Sequence, residues 1–456
     1  MPVQKKTSSS FELTIDGFST EGEGIGHHQG RAIFAPFTIP GERIRARLVS
    51  PGGRTLRAEA VELLAPSRDR AIPPCPVFGR CGGCQLMHIS YGAQQALKAQ
   101  VLVDVLRSIA RLQLNRLPPI AEASHPLHYR NHGQYKVGKE GGRVITGFFA
   151  AYSHHVVPVH ECRLHDPRIN QAVATVTDWA NHKHLPVYNE QHRTGWLRHV
   201  TVRTSADSGE SLVTLVASSD RSGKCNELAQ QLRKTIPGVA GLLLNINSRV
   251  TPIVLLDRHR LLWGRDWIEE RLLGVRFRLS AGSFFQVNTE QARMLFEKVH
   301  TFIGRPMGLV VDAYCGVGVL ALTLAACGHE VVGIEINAQA IADARQNAEK
   351  NHLQSAGFYH GAVEETLPKL LRRGLRPVAV VLDPPRKGCD PQVLEALIKS
   401  KTAKIAYVSC HPGTLARDLG ILRNGGYRLT LIEGVDMFPQ TCHLEVLAGL
   451  EWDGNG

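Results

Sequence analysis

The chain has 456 residues, 43% of them hydrophobic, so it can bury more than one core; at about 150 residues per domain its length predicts two to three domains. No apolar run reaches the ~18 residues of a membrane helix, and the start MPVQKKTSSS has a charge pair but no apolar signal, so no membrane span or secretion is expected and a cytoplasmic address follows. The 53 Lys and Arg against 41 Asp and Glu give a net charge of +12, which draws polyanions to the surface, and ten cysteines in a reducing compartment read as metal ligands or catalysts before disulfides.

Short alternating segments at 11–15, 31–34, 43–49 and 57–64, separated by Gly- and Pro-rich turns, predict a small β-barrel over residues 8–66. Arg43, Arg45 and Arg47 alternate with apolar residues, so one strand face is expected to be cationic, as oligonucleotide-binding barrels require. A Pro-rich linker at 66–76 leads into a loop holding Cys75, Cys81 and Cys84. Residues 90–112 have helical spacing, with Leu97, Val101, Val105 and Ile109 on the expected core face. Mixed strand signals follow, and residues 67–275 are read as a central α+β domain.

In the last segment, residues 276–456, apolar β-rich runs at 309–311, 330–334, 378–382, 404–408 and 428–432 alternate with helical ones. This predicts an α/β, doubly wound, mainly parallel sheet that binds ligands at the carboxyl ends of its strands. The first strand runs into Asp312-Ala-Tyr-Cys-Gly-Val-Gly-Val-Leu-Ala321, where Gly316 and Gly318 let the backbone approach a ligand. Glu335 ends the next strand and can accept both hydroxyls of an adenosine ribose. The same turn satisfies the dinucleotide pattern G-x-G-x-x-[GA], so a nicotinamide cofactor competes for it at this point.

Two further strand ends carry Asp383-Pro-Pro-Arg386 and Ser409-Cys410. Consecutive prolines stiffen a loop that holds Asp383 and Arg386 over the sheet, which hydride transfer does not require. Cys410 has a definite chemical use: carbon 5 of uracil takes a methyl group only after a thiolate adds to carbon 6. Release then needs a base for the carbon 5 proton, and Glu445, in the last strand signal, is the candidate. Taken alone, Cys410 reads as a small core residue and Glu445 as a strand-edge charge.

Together, Ser283-Phe-Phe-Gln286-Val-Asn288, Asp312-Ala-Tyr-Cys-Gly316, Asp383-Pro-Pro-Arg386, Ser409-Cys410 and His443-Leu-Glu445 resemble the RNA uracil-5-methyltransferase family over nearly the whole chain. The resemblance implies a class I (Rossmann-like) methyltransferase domain, a TRAM (OB-like) barrel before it, and S-adenosylmethionine surrounded by Gln286, Tyr314, Gly316, Glu335 and Asp383. It implies Cys410 as nucleophile, Glu445 as base, a monomer, and a structured RNA substrate, 23S rRNA with tRNA as the alternative. Cys75, Cys81 and Cys84 with Cys162 are similar to the four-cysteine iron-sulfur site of the ribosomal branch. Their spacing suits a [4Fe-4S] cluster better than the paired knuckles of structural zinc, and lacks the C-x3-C-x2-C of radical methylthiotransferases. Val319 and His411 depart from the family, each standing where many members have Asn; at 319 one cofactor hydrogen bond is at stake, at 411 loop geometry. A non-catalytic iron-sulfur RNA-binding protein is the reading from another class.

Overall fold

The computed structural model describes residues 10–50, 55–256, 258–305 and 308–453. Residues 1–9, which hold most of the start MPVQKKTSSS and the first residues of the expected barrel, and residues 454–456 lie outside the described residues.

Five strands, Phe11–Phe18, Glu23–His28, Arg31–Pro36, Leu56–Ala65 and Arg43–Ser50 in spatial order, close into a barrel. Alternation sends Leu13, Ile15, Ile33, Ile44 and Leu56 inward. Two of the three arginines of the expected cationic face are paired with acids instead: Arg45 Nε donates to Glu62 at 2.9 Å and Arg47 Nε to Glu59 at 2.7 Å, both from the neighbouring strand. Cross-strand pairing that a single strand cannot reveal is the reason.

The central part is a seven-stranded sheet, with the helices Pro167–His182 and Asn226–Thr235 packed over Val200, Val213 and Leu242. Asp166 caps the first helix by accepting from the Arg168 amide at 2.9 Å, with Pro167 at its first turn.

An eight-stranded sheet follows in the order Ala356–His360, Glu330–Glu335, Leu309–Ala313, Ala379–Leu382, Lys404–Ser409, Glu445–Trp452, Tyr427–Val435, Ile120–Ala121. All neighbours are parallel except those of Glu445–Trp452, which runs against both strands beside it. Val310 and Val408 enter one apolar cluster, Val311 and Tyr407 the other, so helices cover both faces. The helix Tyr91–Ile109 packs against Pro412–Asn424, and Ile120–Ala121 extends this sheet. The segment 91–121, expected within 67–275, thus lies on the sheet formed by residues beyond 308. Among the described residues no helix is long and apolar enough to cross a membrane.

Candidate active site

Strand order reverses between Leu309–Ala313 and Ala379–Leu382, and such a reversal opens a crevice at the carboxyl ends. Ala313 pairs with both Ile334 and Leu382, so Tyr314, Glu335 and Asp383 leave the sheet at one level. Ser409 pairs antiparallel with Val446, which sets Cys410 opposite Glu445. Because Glu445–Trp452 runs against its neighbours, it brings its first residue to the edge where the parallel strands end.

The glycine turn is built tightly. Tyr314, a bulky residue, has φ 71°, a conformation that costs energy and persists only where its surroundings enforce it. Its amide and that of Cys315 donate to the Ile334 carbonyl at 2.9 and 3.0 Å. Burial raises the Tyr314 hydroxyl, and the nearby Cys389 adds to the shift. A Cβ at Gly318 would lie 3.1 Å from Ala344 and Phe358, whereas one at Gly316 would meet only open space, room for a ligand beside the turn. Glu335 accepts from the Gly316 amide at 3.1 Å and the Asn337 amide at 2.7 Å, and keeps accessible surface. Asp312 accepts from the Ala321 amide at 2.9 Å, and burial, reinforced by Asp383 and Glu335, pushes its carboxyl up to about 8.

Four groups interact at the other side of the crevice. Burial raises the Cys410 thiol; Glu445 raises it further, the Arg386 guanidinium opposes this, and Asp383 adds to it. Glu445 is 4% exposed, and its carboxyl is held well above the ordinary range by burial and then by Asp383, against Arg386. Burial raises Asp383 likewise. Arg386 Nη2 donates to His443 Nε2 at 3.2 Å, and burial keeps that imidazole neutral by pushing it down to about 4. His411 caps the helix Pro412–Asn424, accepting from the Thr414 amide at 3.3 Å, a role Asn also fills well. Val319 begins the helix Val319–Ala326 and packs against the apolar core. Cys389 is buried, its thiol pushed up to about 12.

The segment carrying Glu445 is tied to distant parts of the chain. Tyr91, Gln95 and Lys98 donate to the Asp436 carboxylate at 2.9, 2.7 and 2.6 Å. The Gln440 carbonyl accepts from the Gln85 and Leu86 amides at 3.2 and 3.0 Å, and its side chain accepts from Gln94 at 3.0 Å. The loop holding Gln286 joins them: Asn131 Nδ2 donates to the Gln286 carbonyl at 2.9 Å, and Asn288 to the Met437 carbonyl at 3.3 Å. Sequence reasoning missed Lys98, Asp436, Gln440 and Asn131; the one signal was three polar residues, Gln94, Gln95 and Lys98, inside a helical apolar pattern.

Cys75, Cys81, Cys84 and Cys162 line one cavity of about 640 Å³. Gly82 donates to the Phe149 carbonyl at 3.0 Å, and Asn170 exchanges hydrogen bonds with the Cys162 backbone at 3.0 and 3.1 Å, which anchors both arms of the group to the central sheet. Burial raises the Cys84 thiol, with Cys162, Cys81 and Cys75 adding to the shift. Among the described residues no three His, Cys, Asp or Glu side chains are arranged to hold one metal ion, as a zinc with sulfurs at about 2.3 Å would need.

An open α/β sheet with a glycine turn and a strand-end acid at its reversal point belongs to the nucleoside-binding α/β class. A family described as tRNA (uracil-5-)-methyltransferase matches residues 91–451. An uncharacterized RNA methyltransferase of Halalkalibacterium halodurans is 36% identical over 451 residues, covering 99% of this chain and 98% of its own. One of Thermosynechococcus vestitus is 38% identical over 443 residues, covering 96% and 97%. The crystal structure of the Pyrococcus abyssi tRNA (uracil-54, C5)-methyltransferase with S-adenosyl-L-homocysteine superimposes with a TM-score of 0.77 at 26% identity, covering 96% of this chain and 99% of that one. The chain belongs to the RNA (uracil-5-)-methyltransferase family and is an S-adenosylmethionine-dependent RNA methyltransferase. The nicotinamide reading of the Gly316 turn is thereby set aside.

Proposed function

We propose that the chain methylates carbon 5 of a specific uridine in RNA through a covalent bond between Cys410 and carbon 6 of the base. The observation that carries this reading is the Ser409–Val446 pairing, which opposes Cys410 to Glu445 at the edge where Asp383 and Glu335 also end. The target base is flipped out of its RNA fold, because carbon 6 is unreachable in a stack. The Cys410 thiolate, favoured by Arg386, adds to carbon 6, and the electron pair moves to carbon 5. S-adenosylmethionine, held by Gln286, Tyr314, Gly316, Glu335 and Asp383, supplies an electrophilic methyl group. Glu445 takes the carbon 5 proton, the carbon–sulfur bond breaks, and the thiolate is restored. A carboxylate with a raised pKa is the stronger proton acceptor, which suits Glu445 to this step.

Cys75, Cys81, Cys84 and Cys162 line one cavity, and that shared lining is what supports reading them as the four ligands of a [4Fe-4S] cluster. With all four sulfurs as ligands, the cluster serves structure or RNA binding, and the N-terminal barrel is read as a TRAM domain. The four-cysteine group favours 23S rRNA; the name of the P. abyssi enzyme favours tRNA as the second reading. Incubation of the cluster-replete protein under anaerobic conditions with labelled S-adenosylmethionine and unmodified 23S rRNA or tRNA decides this. 5-Methyluridine at one 23S position is expected. Label in tRNA alone would move the substrate, and label in neither would overturn the reading.

A further inference from the structure

The cavity lined by the four cysteines reaches Ser283, Phe284, Phe285 and Val287, and among the described residues no Asp or Glu lines it. Arg130, Arg203 and Gln134 do. Arg203 is 4% exposed; its Nη2 donates to the Ser283 carbonyl at 2.6 Å, but its Nε and Nη1 have no partner. Arg130 Nε is likewise buried and unpartnered. Between them His132 stays neutral, depressed by burial and then by Arg203 and Arg130. A guanidinium removed from water without a counter-charge is strongly disfavoured, so orphaned donors on two arginines call for an anionic, acceptor-rich ligand.

Thiolates are one such anion, and Arg130 acts on both Cys84 and Cys162. Arg203 is different: burial alone perturbs it, and it is tied to the 283–287 segment. Phe284, 69% exposed, also lines the cavity and offers a ring on which a base can stack. Cys410, Glu445, Asp383 and Tyr314 are not among the residues that line it.

We propose that the part of this cavity lined by Arg203, Arg130 and Phe284, as distinct from the part the four cysteines line, is a second nucleotide subsite, which takes a nucleotide of the RNA other than the methylated uridine, its phosphate on Arg203 and Arg130 and its base against Phe284. The inference rests on RNA as substrate. It also gives the subsite a route to the donor side, since Arg203 holds the Ser283 carbonyl and Asn131 the Gln286 carbonyl in the same loop.

The test uses two variants of the full-length, cluster-loaded protein. Arg203→Gln removes the buried charge; Gln134→Glu adds a negative charge at an exposed lining position and leaves the core intact. Affinity for the methylated RNA is measured against salt, alongside RNAs in which single phosphates are replaced by methylphosphonates. Gln134→Glu is expected to weaken binding about tenfold, and Arg203→Gln to lower the salt slope by about one. One methylphosphonate away from the target uridine should weaken wild-type binding and leave Arg203→Gln unaffected. Unchanged affinity and slope in both variants would overturn the subsite, as would a change confined to the visible absorbance of the cysteine centre. Adduct formation between Cys410 and 5-fluorouridine RNA, measured in parallel, separates the two claims: its loss in wild type contradicts the catalytic reading, and its presence with unaltered binding contradicts only the subsite.

Discussion

At Cys410, burial and two carboxylates hold the thiol neutral while one guanidinium favours the thiolate. Arg386→Ala should slow adduct formation, by about tenfold at neutral pH, and wild-type rates should return as pH rises. Adduct rates followed across pH check this; a loss independent of pH would mean that Arg386 only binds RNA. Glu445→Gln should leave methylated RNA attached to Cys410, seen as a denaturation-stable species on a gel with ordinary substrate and donor; free methylated product at wild-type rate would give the base role to another group. Cys410, Glu445 and Asp383 could be singled out as candidates from the sequence because each sits in a short motif at a strand end. Arg203 and Asp436 could not, because their meaning lies in burial, and in partners present or missing, that arise only when remote segments meet.

The helix Tyr91–Ile109 shows what apolar periodicity misses. Leu97, Val101, Val105 and Ile109 were the expected core face, yet Ile109 is 50% exposed and the buried positions are Gln94, Gln95, Lys98, Ala99, Leu102 and Leu106. The stripe is displaced because half of it is polar and serves Asp436 and Gln440. Lys98→Ala strands a buried carboxylate and should cost about 3–5 kcal/mol, read as a fall in denaturation midpoint. Lys98→Met with Asp436→Leu should recover much of that loss; an equally unstable double variant would show that the pair is not the source. In the barrel, the strand Glu23–His28 had no sequence signal because it carries Gly24 and Gly26. A Cβ at Gly26 would stand 2.4 Å from the Thr14 carbonyl, so strand crossing, not strand propensity, dictates that residue.

Across the whole molecule, buried acids and buried histidines give stability opposite pH limbs. Asp312 is raised to about 8, so the native state holds a proton that the unfolded chain has released above about pH 4, and stability falls as pH rises through that window. His199 and His88 are depressed to about 3 and about 4, so the unfolded chain binds protons first and stability falls as pH drops below about 6.5. Above about pH 6.5 only the acid limb remains, and the melting temperature of the ligand-free protein should decline toward about pH 8. Asp312→Asn should make that limb shallower, with Asp383 and Glu445 supplying the rest, and leave the histidine limb as it is; an unchanged slope would place its source in the other two acids. The N-terminal barrel and the doubly wound sheet were legible because short alternating strands between Gly- and Pro-rich turns differ from apolar strand runs that alternate with helical ones. The placement of residues 91–121 on the last sheet was not, since their partners at 412–435 lie some three hundred residues away.

The most direct measurement is mass spectrometry of the protein after reaction with 5-fluorouridine-containing substrate RNA and S-adenosylmethionine, because fluorine at carbon 5 blocks the final proton removal. A nucleotide bonded to the peptide containing Cys410, absent in Cys410→Ala, is the predicted result. An adduct that persists in Cys410→Ala, or methylation of ordinary RNA by that variant, would contradict it.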